Sequence, residues 1–342
     1  MSERSPMAVI GGGAWGTALA IHLAGLGHPV GLWVRDAELA QWMRRHRDNP
    51  VYLPGVRIPS AVSVHDRLGD AAASCEGVLA VVPTPFSREV LGALRPVLSR
   101  GVPVVLANKG IEEHTLALPL EIASEALGDE VPIALLSGPS FAPELARGRP
   151  TTVVAASSDP QLARWVQSTL SGGSLRVYTN GDTVGVQVAG ALKNVMAIAA
   201  GVVHGMEMGH NAIAGLVTRG LAELTRLGVA LGGRPETFSG LAGLGDLVLT
   251  CTGELSRNRR VGEGLARGER LQDVLSHSRS IAEGVRTTRS ARALALGAGV
   301  DMPIVEEVHR LLFEGGSPEQ AVARLMSRPL TAEVFDPAAG AR

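Results

Sequence analysis

The sequence predicts an α/β N-terminal domain with a mostly parallel sheet, followed by an all-α C-terminal domain. Three observations lead to this fold class. Short apolar runs alternate with helical patterns as far as about residue 180, a glycine-rich turn joins the first run to the first helix, and the strand signal fades after residue 181. Strands separated by helices of this length are typical of βαβ units, in which the strands lie parallel.

The elements of the first domain follow this alternation in order. Apolar runs predict strands at 7–10, 30–34, 78–82, 104–107, 133–136, 152–156 and 175–178. Helical patterns lie between several of them, at 14–26, 37–46, 88–94, 116–127 and 161–170. Pro83, Pro85 and Pro103 fall at strand ends, where the missing N–H does not interrupt a ladder.

The second domain reads as helices throughout. Helical patterns that begin or end at Gly, Pro, Ser or Asp cover 182–206, 211–231, 258–267, 271–276, 283–297 and 303–313. We therefore divide the chain into a first domain at 1–181, a second domain at 182–330 and a loose C-terminal tail at 331–342.

Composition narrows the class of protein. The chain has 342 residues and a formal net charge of −1, so nothing in it indicates a nucleic-acid or membrane-surface binder. Its two cysteines, Cys75 and Cys251, stand far apart, and the nine histidines form no metal-binding pattern, so no metal site is predicted. Reduced thiols and an N-terminus without a signal-peptide pattern indicate a cytoplasmic protein.

The glycine-rich turn is the first functional motif. Gly11, Gly13 and Gly16 match G-x-G-x-x-G, directly after an apolar strand and at the start of an Ala/Leu-rich helix. In a Rossmann-type domain the first glycine allows the tight turn, the second lets the pyrophosphate approach the backbone, and the third lets helix and strand pack closely. The alternative is a glycine-rich turn without a ligand.

The end of the second strand bears on cofactor choice. An acidic residue there usually binds the ribose hydroxyls of NAD, whereas an arginine accommodates the 2′-phosphate of NADP. Arg35 follows the apolar run directly and Asp36 comes after it. This order favours NADPH and also permits NADH, and the alternative is a solvated Arg–Asp surface pair.

Lys193 lies in the most apolar stretch of the chain, at residues 184–203. Burial there costs hydration and lowers the pKa of a lysine, which makes it a candidate proton donor or acceptor near neutral pH. One alternative is a lysine that extends to water from a core helix. Another is a membrane span, which Gln187, Lys193 and Asn194 argue against because they interrupt the apolar run.

Four further clusters carry polar residues in turns. Residues 108–110 and 137–142 each follow a strand, at the sheet edge where open α/β folds bind ligands. Asp246 follows a glycine-rich turn, and Ser256 reads as the N-cap of a helix whose first turn holds Arg257 and Asn258. An arginine, an asparagine and free helix N–H groups suit a phosphate. The alternatives are ordinary turn chemistry and a solvated basic helix start.

Taken in order, these segments resemble the bacterial-type NAD(P)-dependent glycerol-3-phosphate dehydrogenases. The resemblance extends over nearly the whole chain and includes the segments GGGAWGTALA, ANKG, SGPSFAPELARGRPT, GVQVAGALKNVMAIAAGV, GLAGLGDLVLTC, SRNRRVG and AEGVRTT. It implies a cytosolic homodimer whose helical domain is like that of 6-phosphogluconate dehydrogenases. The implied reaction interconverts dihydroxyacetone phosphate and sn-glycerol 3-phosphate, and its reduction direction supplies glycerophospholipid synthesis.

The resemblance also implies roles for individual residues. Lys193 matches the catalytic lysine. The positions that match substrate contacts are Lys109, Gly138, Ser140, Asn194, Asp246, Ser256, Arg257 and Asn258. With the loop glycines Gly11, Gly13 and Gly16, the positions that match cofactor contacts are Ala14, Trp15, Arg35, Lys109, Ala142, Arg257, Ile281 and Glu283. Three positions depart from common family residues without removing a charged group, namely Ala14, Asn108 and Ile281.

The mechanism expected from these roles is a hydride reduction of the C2 carbonyl, with Lys193 as general acid and, in reverse, as base. Lys109 and Asp246 would hold the ammonium, and Arg257 with Asn258 would bind the phosphate. Two alternatives stay open: a related reductase such as a ketopantoate-reductase-like or β-hydroxyacid dehydrogenase, and a non-catalytic dinucleotide sensor. The basic cluster at 256–260 suits a phosphate and argues against the related reductases. A dinucleotide sensor would not need Lys193, Lys109 and Asp246 together, which argues against that alternative.

Overall fold

The computed structural model describes residues 4–276, 282–330 and 332–333. All β-strands of the described residues lie before residue 181. They are β1 Met7–Ile10, β2 Val30–Trp33, β3 Asp48–Asn49, β4 Leu53–Arg57, β5 Val62–His65, β6 Gly77–Ala80, β7 Val104–Leu106, β8 Ile133–Ser137, β9 Thr151–Ala156 and β10 Leu175–Asn180.

Eight of these strands form one sheet, in the order β10-β9-β8-β7-β6-β1-β2-β5. Every neighbouring pair is parallel except β8 and β9, which confirms the mostly parallel sheet. The chain places β2 on one side of β1 and β6 on the other, so the strand order reverses at β1. Open α/β sheets bind ligands outside the carboxyl ends of strands at such a reversal.

Helices cover this sheet, because β1, β6 and β7 are buried at every position and need apolar cover on both faces. The helices of this part are α1 Ala14–Gly25, α2 Ala37–His46, α3 Leu68–Ala72, α4 Thr84–Leu94, α5 Pro119–Leu127, α6 Ala142–Ala146 and α7 Pro160–Leu170. The predicted Rossmann-type domain is therefore confirmed.

Several short elements escaped the sequence analysis. Strands β3, β4 and β5 and helices α3 and α6 were not predicted, because segments of two to five residues carry too few periods to reveal a pattern. Helix α5 begins at Pro119 rather than at residue 116. Pro119 suits the first helical position, and the carboxylate of Glu121 accepts the backbone N–H of Leu118 at 2.6 Å, which fixes the start there.

The second part of the chain contains only helices and loops among its described residues, as predicted. Its helices are α8 Thr183–Gly205, α9 Gly209–Ala230, α10 Pro235–Phe238, α11 Asp246–Thr252, α12 Arg257–Ala266, α13 Leu271–Ser276, α14 Glu283–Gly297, α15 Pro303–Phe313 and α16 Pro318–Met326. A π-helical turn at Leu241–Gly245 leads into α11. The short helices α10 and α11 and the last helix α16 were not predicted.

Helix α8 is the predicted apolar helix. By length and composition it could cross a membrane, but its most apolar window is entirely buried within the folded chain, as in the core helix of a globular protein. Helices α8 and α12 approach so closely that backbone touches backbone at two glycines. A Cβ on Gly201 would lie 1.9 Å from the carbonyl oxygen of Arg259, and one on Gly262 would lie 2.0 Å from that of Ile198. This crossing brings the start of α12 beside the middle of α8.

The chain separates into two compact units. The first comprises residues 1–110 and 117–183, and the second comprises residues 111–116 and 184–342. The segment 111–116, which the sequence analysis placed in the first domain, belongs to the second unit because Ser290 Oγ donates to the carbonyl oxygen of Ile111. Arg286 and Arg289 also lie within 3.8 Å and 3.7 Å of the carboxylate of Glu113. Of the predicted tail at 331–342, only residues 332–333 are described.

Candidate active site

The three glycines of the turn after β1 have the geometry that a bound dinucleotide needs. Gly11 has a φ of 126°, and a Cβ there would lie 2.5 Å from the carbonyl oxygen of Val81. A Cβ on Gly16 would lie 1.9 Å from the carbonyl oxygen of Gly11, so helix and turn pack in direct contact. A Cβ on Gly13 would meet no described atom within 4 Å. The turn is therefore open at the residue where a pyrophosphate would approach.

Helix α1 starts at this open residue. Gly13 is its N-cap and offers no side chain to the first-turn amides, and Ala14 and Trp15 are half-buried in the first turn. Amides at a helix start lack intrahelical partners and, with the helix dipole, favour an anion. The residues of the predicted cofactor loop thus fit the phosphates of a dinucleotide.

Arg35 and Asp36 do not form the surface ion pair that was the alternative. The guanidinium of Arg35 lies over the ring of Phe86, 5.1 Å from its centroid, and the residue is exposed. The carboxylate of Asp36 instead caps α2, accepting the backbone N–H groups of Glu38 and Leu39 at 3.0 Å each. The acidic group is thus engaged by the helix, while the arginine is presented at the carboxyl end of β2.

The turns after β7 and β8 are joined by a lysine. Lys109 Nζ donates to the carbonyl oxygen of Gly138 at 3.2 Å, and Ser140 Oγ donates to the same oxygen at 3.0 Å. Gly138 has a φ of 122°, and a Cβ there would lie 3.0 Å from Cα of Val153, so glycine is required. These three predicted substrate positions therefore form one cluster.

Two neighbouring positions of the first unit complete this edge of the sheet. Asn108, one of the departures from the family pattern, donates to Thr84 Oγ1 and Ser87 Oγ at 3.2 Å each and ties the end of β7 to α4. Ala142, a predicted cofactor position, is buried at the first residue of α6.

The second unit contains the predicted catalytic lysine in a buried polar cluster. Lys193 is 7% exposed and Asp246 is 1% exposed. Lys193 Nζ forms an ion pair with the carboxylate of Asp246 and donates to Thr250 Oγ1 at 3.0 Å. Thr250 in turn donates to the carbonyl oxygen of Asp246 at 2.6 Å. The carboxylate thus compensates an ammonium charge that burial alone would disfavour.

The π-helical turn places Asp246 at this point. Gly245 N donates to the carbonyl oxygen of Gly240 at 3.1 Å, the wide hydrogen bond of a π turn, and Asp246 then begins α11. A Cβ on Gly243 would lie 2.1 Å from the carbonyl oxygen of Phe238, so only glycine fits there. Such turns are frequent at functional sites. The glycine-rich turn of the sequence is therefore what presents the carboxylate to Lys193.

Asn194 belongs to a second network beside the lysine. Asn258 Nδ2 donates to Asn194 Oδ1 at 2.9 Å, and Asn258 Oδ1 accepts the backbone N–H of Gly284 at 3.0 Å. All three residues are buried, and a Cβ on Gly284 would lie 2.6 Å from the carbonyl oxygen of Asn194. These bonds fix the starts of α12 and α14 against the middle of α8.

The basic cluster at 256–260 divides into structural and exposed members. Ser256 is the predicted N-cap, and its Oγ accepts the backbone N–H of Arg259 at 3.3 Å. Arg259 is buried and donates to the carbonyl oxygen of Thr252 at 2.6 Å and to the carboxylate of Glu263 at 2.9 Å. Arg257, in contrast, is exposed in the first turn of α12. Arg260 is also exposed, and its guanidinium donates to the carbonyl oxygen of Glu254 at 3.1 Å. The fold therefore presents Arg257 and Arg260 to solvent in this cluster and buries Arg259.

The remaining predicted cofactor positions lie at the start of α14. Glu283 is its first residue and is half-buried, whereas Ile281 lies outside the described residues. No group of three or more His, Cys, Asp or Glu residues that could hold a metal ion occurs among the residues that the structure describes.

Cys251 lies near the lysine but does not act as a nucleophile there. Burial raises the pKa of its thiol to about 12, with Lys193 lowering it and Asp246 raising it further. A thiol with such a pKa stays protonated at neutral pH and is inert.

Comparison with known proteins decides the family. A model for the N-terminus of NAD-dependent glycerol-3-phosphate dehydrogenase matches residues 6–163, and a model for its C-terminus matches residues 182–323. The chain belongs to this family. It is 51% identical over 335 residues to a glycerol-3-phosphate dehydrogenase [NAD(P)+] of Geobacter sulfurreducens, covering 97% of this chain and 99% of that protein.

Further relatives agree with this placement. The chain is 50% identical over 335 residues to a glycerol-3-phosphate dehydrogenase [NAD(P)+] of Koribacter versatilis, covering 97% of this chain and 99% of the relative. A crystal structure of a Coxiella burnetii glycerol-3-phosphate dehydrogenase matches the fold with a TM-score of 0.91 at 38% identity. That match covers 95% of this chain and 99% of the Coxiella chain. The family resemblance predicted from the motifs is thereby confirmed.

Sequence reasoning missed one member of the lysine cluster. Thr250 lies four residues after Asp246, so one turn of α11 places both side chains on the same face. The spacing of Asp246 and Thr250 carries this signal only if the segment after Asp246 is helical, and α11 was not predicted.

Proposed function

We propose that the chain catalyses the reversible NAD(P)H-dependent reduction of dihydroxyacetone phosphate to sn-glycerol 3-phosphate. One observation carries the proposal: a buried ammonium, that of Lys193, is held by Asp246 and Thr250 in a chain of the glycerol-3-phosphate dehydrogenase family. A buried ion pair is weak evidence for stability but marks a functional site well. The glycine turn after β1 supports the part of the proposal that requires a bound NAD(P)H.

Lys193 acts as the general acid of the reduction. A bound reduced nicotinamide dinucleotide supplies the hydride for C2 of the substrate. As negative charge develops on the C2 oxygen, the ammonium of Lys193 donates a hydrogen bond and then its proton, and in oxidation it takes the proton back. Asp246 favours the charged form of the lysine, and Thr250 restrains the direction of Nζ. Asn194 lies one residue further along α8, with its side-chain oxygen already held by Asn258.

Arg257 and Asn258 bind the phosphate of the substrate at the start of α12. The exposed guanidinium of Arg257 offers a bidentate partner, and the first-turn amides add partial positive charge. Arg259 is excluded from this role because Thr252 and Glu263 engage its guanidinium. Binding energy from the phosphate then orients C2 for reaction. In the first unit, Lys109, Gly138 and Ser140 are the proposed substrate-side positions.

NADPH is the proposed preferred cofactor, with NADH also accepted. Asp36 is engaged in capping α2, whereas Arg35 is exposed at the end of β2 and suits a 2′-phosphate. The proposed cofactor contacts otherwise are Gly11, Gly13, Ala14, Trp15, Gly16, Lys109, Ala142, Arg257, Ile281 and Glu283. The protein is proposed to be a cytoplasmic homodimer that supplies glycerol 3-phosphate for glycerophospholipid synthesis.

The test is NADPH oxidation by the purified protein on addition of dihydroxyacetone phosphate, followed by loss of NADPH absorbance. Parallel assays use NADH and unphosphorylated dihydroxyacetone. We expect rapid turnover that requires the phosphate. Turnover of ketopantoate or another unphosphorylated keto acid instead would favour the related reductases, and NADPH binding without turnover of any of these compounds would favour a dinucleotide sensor.

A further inference from the structure

We propose that Asn49 is a positioning residue for the cofactor loop, although it lies outside the glycine motif. Asn49 belongs to the two-residue strand β3 and is fully buried. Its Nδ2 donates to the carbonyl oxygen of Gly12 at 2.9 Å and to Thr17 Oγ1 at 2.9 Å. Its Oδ1 accepts the backbone N–H of Tyr52 at 3.1 Å. One side chain thus joins the β3–β4 hairpin to the glycine turn.

The bond to Gly12 sets the direction of the next amide. In a trans peptide the C=O and the following N–H point in opposite directions. Thr17 Oγ1 also donates to the Gly12 carbonyl oxygen, at 3.4 Å. Asn49 and Thr17 thus hold this oxygen on the buried side, so the N–H of Gly13 points the other way. A Cβ on Gly13 would meet no described atom within 4 Å, so the turn is uncrowded at this residue. Asn49 therefore turns the Gly13 amide toward the place where the diphosphate of the cofactor would lie.

The glycine turn needs such an external restraint. Gly11, Gly12 and Gly13 are consecutive, and glycine has more backbone freedom than any other residue. A loop that must be ordered by its ligand binds more weakly than one already held in the bound geometry. The buried amide of Asn49 orders the turn before the cofactor arrives. This role presupposes the dinucleotide-binding function proposed above.

Two substitutions separate this role from simple support of the hairpin. Asn49→Asp keeps an oxygen to accept the Tyr52 amide but replaces the donor with a carboxylate that faces the Gly12 carbonyl oxygen. Thr17→Val keeps the branched shape and removes the hydroxyl that accepts from Asn49. Trp42→Phe is the matched control, because Trp42 Nε1 of α2 donates at 2.8 Å to the side chain of Asp48, the hairpin residue next to Asn49.

The experiment measures the Kd for NADPH from the fluorescence of the bound cofactor, together with the melting temperature of the free protein. We expect Asn49→Asp to raise the Kd about 10-fold and Thr17→Val about 3-fold, with Trp42→Phe unchanged. In steady state the KM for NADPH should rise in parallel, while kcat at saturating NADPH and the KM for dihydroxyacetone phosphate stay within about twofold of wild type.

A lower melting temperature with a wild-type Kd in Asn49→Asp would overturn the proposal, since Asn49 would then only support the hairpin. If Asn49→Asp does not fold, a wild-type Kd in folded Thr17→Val overturns it equally. The binding assay needs no substrate, so it also distinguishes this outcome from failure of the proposed function: wild-type protein that binds NADPH without reducing dihydroxyacetone phosphate contradicts the reaction and not the role of Asn49.

Discussion

Thr250 accepts a hydrogen bond from Lys193 Nζ at 3.0 Å and donates its own proton to the carbonyl oxygen of Asp246 at 2.6 Å. The hydroxyl of Thr250 can only accept from the lysine, because the hydroxyl proton is already donated to the backbone of Asp246. The ammonium is held by two groups on one face of α11, a charge at Asp246 and a neutral oxygen at Thr250. These two contacts restrain the position of Lys193 Nζ.

Removing the Thr250 hydroxyl should slow catalysis without weakening cofactor binding. Thr250→Val keeps the branched side chain and should lower kcat about 10-fold, because a hydrogen bond to a charged group contributes about 1.5–3 kcal/mol. Thr250→Ser restores the hydroxyl and should recover most of the rate. The measurement is kcat and the Kd for NADPH of both variants, and equal rates for the Val and Ser variants would contradict the assignment.

Replacing the lysine should abolish turnover. Lys193→Met should lower kcat at least about 100-fold, since a positioned general acid contributes about 100- to 10,000-fold. The Kd for NADPH should stay close to wild type. Because the change leaves Asp246 buried without its partner, the single variant should also melt at a lower temperature.

The double variant Lys193→Met with Asp246→Asn separates these two effects. It removes the buried carboxylate charge that has lost its lysine partner, so it should regain thermal stability and remain inactive. Recovery of turnover in the double variant, or normal turnover in Lys193→Met alone, would show that Lys193 is not the proton donor.

Loss of Arg257 at the start of α12 should weaken binding of the substrate phosphate. Arg257→Ala should raise the KM for dihydroxyacetone phosphate at least about 10-fold, because a charged hydrogen bond is lost. Arg260→Ala is the control, since Arg260 lies on the same helix, is exposed and donates to the carbonyl oxygen of Glu254. An equal KM in the two variants would remove Arg257 from the phosphate site.

Arg35 should determine the choice between the two dinucleotides. Arg35→Ala should raise the KM for NADPH at least about 10-fold and leave the KM for NADH nearly unchanged, because only NADPH carries the 2′-phosphate. Arg176→Ala is a matched control, since Arg176 is exposed and likewise lies over an aromatic ring, that of Tyr178 at 5.2 Å. A parallel rise for both cofactors would point to general weakening of the site.

A buried carboxylate should make stability depend on pH. Glu223 accepts the backbone N–H groups of Ile304 and Val305 at 2.8 Å and 3.3 Å and so caps α15 from α9. Burial is the main cause that raises the pKa of this carboxyl to about 7, and the charge of Asp301 raises the pKa further. The hydrogen bonds from the two backbone amides and the charge of Arg226 lower the pKa. The folded state therefore binds the proton more tightly than the unfolded state, whose carboxyl has its ordinary pKa of 4.5.

The stabilisation from that proton is fully present below pH 4.5 and is lost as the pH rises through about 7. Its size is about 3 kcal/mol by the linkage between pKa and free energy. Glu223→Gln stays neutral at every pH and keeps one acceptor oxygen. The melting temperature of this variant, relative to that of the wild type, should therefore increase as the pH is raised from 5 to 8. The measurement is the melting temperature of both proteins at several pH values in this range. A difference between them that does not change with pH would contradict the prediction.

Local patterns allowed much of this protein to be predicted. The G-x-G-x-x-G turn, the Ser256 N-cap and the apolar helix around Lys193 each depend on residues within a few positions of one another, and each occurs in the structure as expected. The short strand β5 and the helix after Asp246 were missed, because runs of four to seven residues fit strand and helix patterns alike.

Tertiary structure decided which of these residues meet. Lys193 and Asp246 are 53 positions apart, Asn194 and Asn258 are 64 apart, and Asn49 and Gly12 are 37 apart. The sequence by itself determined the fold class, the family and the individual groups able to carry charge or bind phosphate, because those depend on residue type and short spacing. Which groups pair depends on how helices cross, as at Gly201 and Gly262, where close packing of two backbones sets positions that no local pattern encodes.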